Sequence, residues 1–135
     1  MKKIILGLAL LGCMTACNDD KEDPITPLTT AQKIQNKWNF ISSNDNYISS
    51  TGTIDSTDYF LGEGGDYIEF GTNNTYVFNV GGDNDTMPYK ILGDTKIILA
   101  SDTFTINTLT EKDFIFTYSD RTSTPFYDNV VTLKR

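Results

Sequence analysis

The fold class of this chain is decided by residues 67–80, which read Tyr67-Ile68-Glu69-Phe70-Gly71-Thr72-Asn73-Asn74-Thr75-Tyr76-Val77-Phe78-Asn79-Val80. Ile68 and Phe70 lie two residues apart, as do the apolar side chains from Tyr76 to Val80, and a period of two residues is typical of β-strands. Residues 71–74, between these runs, have the glycine and asparagine composition of a turn. The stretch therefore predicts two antiparallel strands joined by a hairpin.

The same succession of short apolar runs and turns continues on both sides of this hairpin. Further strands are predicted at residues 38–42, 89–92, 96–99, 104–107, 114–118 and 130–133. About eight short strands in series, joined mostly by tight turns, lie antiparallel to their neighbours. Because such a meander loses its unpaired edges by closing on itself, we predict an all-β protein, a small antiparallel up-and-down β-barrel. The interior of a barrel this small fits side chains or one small ligand.

A short helix is predicted before the first strand. Thr29 or Thr30 is a suitable N-cap for a helix that ends near Asn36, and Ile34 would be its main inward residue. This helix has fewer than three turns, so packing against the barrel must stabilise it.

Residues 44–64 do not follow the strand pattern. They are polar and contain several glycines, and a structureless segment of this length is unusual in a compact domain. Two interpretations stay open. The segment hides a short strand near Tyr47-Ile48 or Thr53-Ile54, or it forms a lid with Tyr59-Phe60-Leu61 as its apolar tip.

The alternation also sorts side chains between the barrel interior and its outer surface. The candidates for the inward face are aromatic: Phe40, Phe70, Phe78, Phe104 and Phe116. We predict that a ligand would contact these rings. Trp38 is a further candidate contact, and core packing beneath the helix is the favoured role for it. The opposite faces carry Asn39, Glu69, Asn79, Lys90, Thr105 and Thr117. Such an outer surface suits water, which argues against a barrel that spans an outer membrane.

The first 16 residues have the features of a secretory signal peptide. Lys2 and Lys3 precede an apolar run, residues 4–11, that is too short to span a bilayer about 30 Å thick. The residues that follow resemble the lipobox of bacterial lipoproteins, in which a peptidase cuts before a cysteine that carries diacylglycerol. Cys13 and Cys17 both stand where such a cysteine is expected.

We predict lipidation at Cys17, because the acidic tract of residues 18–23 begins directly after it. This tract resembles the export signal that sends Bacteroidetes lipoproteins to the outer face of the outer membrane. The expected organisation is a signal peptide at residues 1–16, a lipidated acidic tether at 17–28 and a barrel domain at 29–135. The expected location is the cell surface, where the lipid on Cys17 contacts the outer membrane.

Composition restricts the partners and the chemistry. Removal of residues 1–16 from the 135 leaves 119, enough for one domain. The 11 basic residues fall to 9 once Lys2 and Lys3 are lost, against 18 acidic residues, so the net charge becomes −9. An acidic surface argues against nucleic acid as a partner. The chain has no histidine and no cysteine after residue 17, so the commonest metal ligand and the usual general base are both missing.

The chain resembles the lipocalin-like domain of Bacteroidetes surface lipoproteins. The resemblance extends over residues 34–134 and rests on patterns of strand and turn. These are the helix leading into Asn36-Lys37-Trp38, residues 67–70 followed by Asn74-Thr75-Tyr76, and residues 104–106 followed by Phe114-Ile115-Phe116. It implies a β-barrel and a small apolar ligand. It supplies no catalytic residues, and Asn36 stands where true lipocalins have glycine two residues before the first-strand tryptophan.

No motif selects a catalytic or metal site. Asp83-Asn84-Asp85 and Asn44-Asp45-Asn46 offer oxygen ligands for Ca²⁺, but neither has the spacing of a calcium loop, and polar turns are the better interpretation. Glu63, Glu69 and Glu111 are not placed by any spacing that would make two of them an acid–base pair. We therefore expect a protein that is not an enzyme and that uses no metal or cofactor.

Two tripeptides resemble the O-glycosylation pattern of Bacteroidetes: Asp55-Ser56-Thr57 and Asp85-Thr86-Met87. Both are expected in loops, which makes Ser56 and Thr86 the predicted acceptors. The functional expectation is an envelope lipoprotein that binds a small apolar ligand or serves as a surface accessory module. The alternative is an interaction or adhesion component with a filled β-core, which would expose an apolar patch near Tyr59-Phe60-Leu61 or Phe126-Tyr127.

Overall fold

A computed structural model describes residues 26–135. Cys13, Cys17, the predicted signal peptide and the acidic tract lie outside the described residues. The described part contains one helix and nine strands: α1 (Thr30–Ile34), β1 (Lys37–Ile48), β2 (Ile54–Leu61), β3 (Tyr67–Phe70), β4 (Thr75–Val80), β5 (Asp83–Leu92), β6 (Lys96–Leu99), β7 (Asp102–Leu109), β8 (Asp113–Asp120) and β9 (Phe126–Lys134).

Eight of these strands close into an antiparallel barrel, which confirms the predicted fold. Strands β3 to β9 pair each with the next, and β1 pairs with β3 on one side and with β9 on the other. Strand β1 is long enough for one of its edges to pair with two strands, β3 and β2. Its first residues, Lys37 to Asn39, pair with β3, and Ser42 to Ile48 pair with β2. Strand β2 is thus a ninth strand, attached to the wall beyond the short strand β3.

The structure distinguishes between the two interpretations of residues 44–64. Strand β1 continues through Tyr47-Ile48, and β2 begins at Ile54, so the hidden strand is confirmed and the lid is wrong. Every residue of β2 is exposed. Because neither of its faces is buried, β2 has no alternation of apolar residues from which it could be recognised.

The turn between β4 and β5 is shorter than the glycine-rich and polar residues 81–85 predict. Residues 83–85 were expected in a turn, but they begin β5, and Val80 pairs directly with Asp83. Gly81 and Gly82 alone connect the two strands, with φ angles of 64° and 91°. Two consecutive residues with positive φ match the twist of a two-residue hairpin, a conformation that glycine adopts at least cost.

The two ends of the barrel differ. The connections after β1, β4, β6 and β8 lie at one end, named the mouth here, because consecutive strands run in opposite directions. Helix α1 lies at the other, closed end with the connections after β3, β5 and β7. Ile34, Trp38, Phe114 and Leu133 are fully buried there. The indole Nε1 of Trp38 donates a hydrogen bond to the Ile34 carbonyl oxygen at 2.9 Å, which fixes the helix against the first strand.

Helix α1 begins as predicted. Thr29 is the N-cap, and a capping box joins it to Gln32 through side-chain and backbone hydrogen bonds. The helix has 5 residues, which is too short to be stable by itself. The burial of Ile34 in the closed end holds it in place.

Candidate ligand cavity

The mouth half of the barrel contains an inner cavity of about 300 Å³. This volume lies at the lower end of the range for small-molecule sites, about 300–1,000 Å³. Its lining is mostly aromatic and aliphatic, with a polar edge. The lining residues are Phe40, Ile68, Tyr76, Phe78, Met87, Leu99, Ala100, Asp102, Phe104, Phe116, Asn129 and Val131.

A second space, the outer cavity, adjoins the first and has a volume of about 400 Å³. Four residues line both: Phe40, Phe78, Asn129 and Val131. The outer cavity lies between β2 and the β4–β5 turn, where it is lined by Phe60 and Gly81. Strand β2 pairs with β1 only, so no backbone hydrogen bonds join it to β4 or β5. A lateral gap in the wall therefore leads from the mouth to the inner cavity.

A bulge in β1 determines which side chains enter the mouth half. The pairing with β9 shifts between Phe40 and Ser42. Trp38 and Phe40 point inward before the shift, whereas Ser43 lines the outer cavity after it. The inward row thus changes from even to odd residue numbers, and Asp45 comes to lie beside the inward side chains of β9.

Asp45 is the centre of a polar cluster at the mouth. Its Oδ1 accepts a hydrogen bond from the Tyr127 hydroxyl at 2.7 Å and another from the Asn129 amide. Partial burial and the hydrogen bond to Asp45 raise the pKa of Tyr127 well above its usual value. The ring of Tyr127 also packs on Tyr47 and Tyr118, with ring centroids 5.6 and 6.2 Å apart. The cluster holds Asn129 where it lines both cavities.

A second polar group lies on the opposite wall. The phenol of Tyr76 contacts the Met87 sulfur at 3.5 Å, and both residues line the inner cavity with Asp102. Burial raises the pKa of Tyr76, and the negative charges of Asp102 and Asp85 raise it further. These two carboxylates therefore lie close to the polar edge of the cavity.

The six aromatic residues predicted to contact a ligand fall into two groups in the structure. Phe40, Phe78, Phe104 and Phe116 line the inner cavity. Trp38 and Phe70 do not, because they fill the closed end, where both pack against Phe114 with ring centroids 5.5 and 5.8 Å apart. Core packing, the role favoured for Trp38, is therefore the observed one, and the same role applies to Phe70.

Sequence reasoning missed several residues of the cavity wall. Met87 was overlooked because the predicted strand began at Tyr89, yet Met87 and Tyr89 are two residues apart and share a face. The same period would have placed Asp85 inward. The last strand is predicted from Val130, four residues after β9 begins at Phe126, so the prediction leaves Asn129 out. No signal in the sequence marks the bulge that brings Asp45 to Asn129.

The remaining candidate residues lie apart from the cavity. Ser56 and Thr86 are in strands β2 and β5, so the prediction that both acceptors lie in loops is wrong. Glu63 follows β2, Glu69 is on the outer face of β3, and Glu111 is in the β7–β8 turn at the closed end. Within residues 26–135, no group of three or more acidic side chains could hold a metal ion.

Comparison with known proteins adds no relative. No protein-family model matches the chain, and no curated protein or solved structure matches it. Across the part that the structure describes, no helix is long and apolar enough to cross a membrane.

Proposed function

We propose that this protein is a non-enzymatic carrier, which binds a small apolar molecule inside the mouth half of its barrel. The observation that supports this proposal is the inner cavity of about 300 Å³, whose wall contains four phenylalanine rings and opens to the outer cavity. A core evolved only for stability packs to the density of an organic crystal and leaves few voids larger than a water molecule. The mouth half departs from that density because it holds the inner cavity, whereas Ile34, Trp38, Phe114 and Leu133 are fully buried at the closed end.

A substitution that fills the cavity tests this function. Val131 lines both cavities, and its neighbour Val130 points to the outer surface. In the chain from Asn18 onward, we expect saturable fluorescence binding of the neutral probe N-phenyl-1-naphthylamine. Val131→Trp should weaken binding at least about tenfold by occupying the space, and Val130→Trp should leave it unchanged. Absence of saturable binding in the unsubstituted protein, or equal binding by both variants, contradicts the proposal.

A second candidate function is an interaction module at the cell surface. The observation that favours it is the apolar end of β2, where Tyr59 and Leu61 are 60% and 59% exposed beside an unpaired strand edge. An exposed edge of this kind can pair with another chain. If β2 is such a site, the double variant Tyr59→Ser/Leu61→Ser should abolish surface-crosslinked complexes in the native host. Unchanged complexes would argue against this function.

The proposed setting is the outer surface of the outer membrane, with the chain anchored through Cys17. The resemblance of residues 18–23 to a surface export signal supports this location. Labelled palmitate should be incorporated by the native host into the unsubstituted protein and into Cys13→Ser, but not into Cys17→Ser. Labelling lost only in Cys13→Ser would place the anchor at the other cysteine.

A further inference from the structure

The polar edge of the inner cavity is acidic and has no cation beside it. Asp102 lines the cavity directly, and Asp85 is on the inward face of β5, two residues before Met87. Both carboxylates lie near enough to the Tyr76 phenol to influence it. Within residues 26–135 the salt bridges are Arg121–Asp128 and Lys134–Asp113, so neither Asp85 nor Asp102 is neutralised by a described side chain.

The described cations lie away from this edge. At the mouth, the guanidinium of Arg121 is held by Asp128 at 2.8 Å and by the Tyr127 carbonyl oxygen at 3.1 Å. At the closed end, Arg135 lies over the Trp38 ring at 4.5 Å. The remaining described lysines are on the helix, in closed-end turns or on the outer surface: Lys33, Lys37, Lys90, Lys96, Lys112 and Lys134. The cavity thus opens toward negative charge.

This charge distribution favours a ligand with a positively charged end over one with a negatively charged end. A carboxylate or phosphate at the end of an apolar ligand would lie beside two unpaired carboxylates and would be repelled. A protonated amine in the same position would be attracted, and the attraction strengthens near low-dielectric walls. The phenol of Tyr76, which also lines the cavity, can hydrogen-bond to polar atoms near that end.

We propose that the ligand of the inner cavity is an apolar molecule with a cationic end of the protonated-amine class. Its apolar part lies among Phe40, Phe104 and Phe116, and its charged end lies at Asp102 and Asp85. The inference rests on the proposed carrier function and adds to it the class of ligand.

Three ligands that share a ten-carbon chain and differ in charge distinguish the electrostatic contribution to binding from the apolar contribution. Decylamine, 1-decanol and decanoate are each used at pH 7 to displace N-phenyl-1-naphthylamine from the chain from Asn18 onward, which contains the whole barrel. We expect decylamine to bind about tenfold more tightly than decanoate, with decanol between them, because two carboxylates lie at the edge where the charged end is placed. Added salt should reduce the difference, since Asp85 and Asp102 are exposed on their solvent side.

A matched pair of double variants tests the two carboxylates. Asp85→Asn/Asp102→Asn should reduce the preference for decylamine over decanoate to about twofold or less, without changing the affinity for decanol. Glu69→Gln/Glu111→Gln removes the same net charge from the outer surface and the closed end, and it should keep the full preference. Equal binding of the three ligands by the unsubstituted protein would overturn the inference, as would a preference that survives the first double variant. Decanol binding in either case would leave the carrier function intact. Failure of all three ligands to displace a probe that binds saturably would overturn the ligand class alone, and absence of saturable probe binding would overturn both.

Discussion

Gly62 determines whether β2 can lie against β1. Its amide nitrogen donates to the Ile41 carbonyl oxygen at 2.9 Å, immediately beyond the end of β2. A Cβ atom at this position would meet the Phe40 carbonyl oxygen at 2.2 Å and the Phe40 ring at 2.8 Å. Contacts this short with backbone cannot be relieved by rotating a side chain. Gly62 is therefore required for space, and Phe40, which lines both cavities, depends on it.

Gly62→Ala should destabilise the domain by about 1–3 kcal/mol, because the new methyl group overpacks the contact with Phe40. Gly64→Ala is the matched control, since a Cβ at Gly64 meets nothing within 4 Å. The control should change stability by less than about 0.5 kcal/mol. Urea unfolding followed by fluorescence of Trp38, the only tryptophan, measures both. Equal stability of the two variants would show that the contact with Phe40 is relieved at little cost.

Tyr127→Phe should destabilise the folded state by about 1–2 kcal/mol at pH 7, because Asp45 loses a hydroxyl donor. The pKa of Tyr127 is raised from 10.0 on folding, so the neutral phenol is favoured in the folded state. Above pH 10 the unfolded chain releases this proton before the folded chain does, and stability falls as pH rises. The variant lacks this contribution, so its stability should fall less steeply between pH 10 and 11.

Tyr59→Phe is the control for Tyr127→Phe, because the Tyr59 side chain is 60% exposed on β2. It should leave both the stability at pH 7 and the alkaline slope unchanged. Urea unfolding at a series of pH values measures the two quantities together. An alkaline slope that is identical in Tyr127→Phe and the unsubstituted protein would contradict the assigned role of the Tyr127–Asp45 hydrogen bond.

Among the elements, β2 is the strand that backbone hydrogen bonds hold on one side only. It pairs with β1 on one side, and side chains alone close its other side. The main closing contact is Phe60, whose ring centroid lies 5.8 Å from that of Phe40 and which would touch a Cβ at Gly81 at 3.3 Å. Phe60 therefore fills the lateral gap, and we propose this gap as the route by which a ligand would reach the inner cavity.

Phe60→Ala should raise the association rate of N-phenyl-1-naphthylamine about threefold or more, because the gap is wider without the ring. Tyr59→Ala removes a neighbouring aromatic side chain that does not line the gap, and it should not change the rate. Stopped-flow fluorescence measures association in both. An association rate that is the same in Phe60→Ala and Tyr59→Ala would indicate entry from the top of the mouth.

Elements with one buried face could be predicted from their alternation, whereas the strand in residues 54–61 was predicted only as one of two open interpretations. In β3 and β4 the inward residues alternate strictly, so the sequence predicts both where each strand lies and which of its side chains point inward. Alternation assigns a side chain to a face but not to a depth along the barrel. Trp38 and Phe40 share a face of β1, yet one fills the closed end and the other lines the cavity. The difference arises from packing of helix α1, which the strand pattern does not contain.

The whole barrel consists of a packed half at the closed end and an open half at the mouth. The closed end carries the helix and its fully buried residues, which supply stability. The mouth half carries the cavity, the lateral gap and the unpaired carboxylates. The closed barrel and its inward aromatic face were predictable because they follow from strand number and alternation. The polar cluster around Asp45 was not, because it depends on a bulge and on pairings distant in sequence, such as Asp45 with Asn129.

The most direct test of the carrier proposal is NMR of the Met87 methyl group. Met87 lines the inner cavity and is the only methionine after residue 14, so ¹³C-methyl labelling of the chain from Asn18 places one internal reporter in the site. Titration with N-phenyl-1-naphthylamine should shift the Met87 resonance to saturation and give nuclear Overhauser effects between its methyl group and the aromatic ring of the probe. An unshifted Met87 resonance at concentrations where the probe's fluorescence saturates would contradict the account, because the probe would then bind elsewhere.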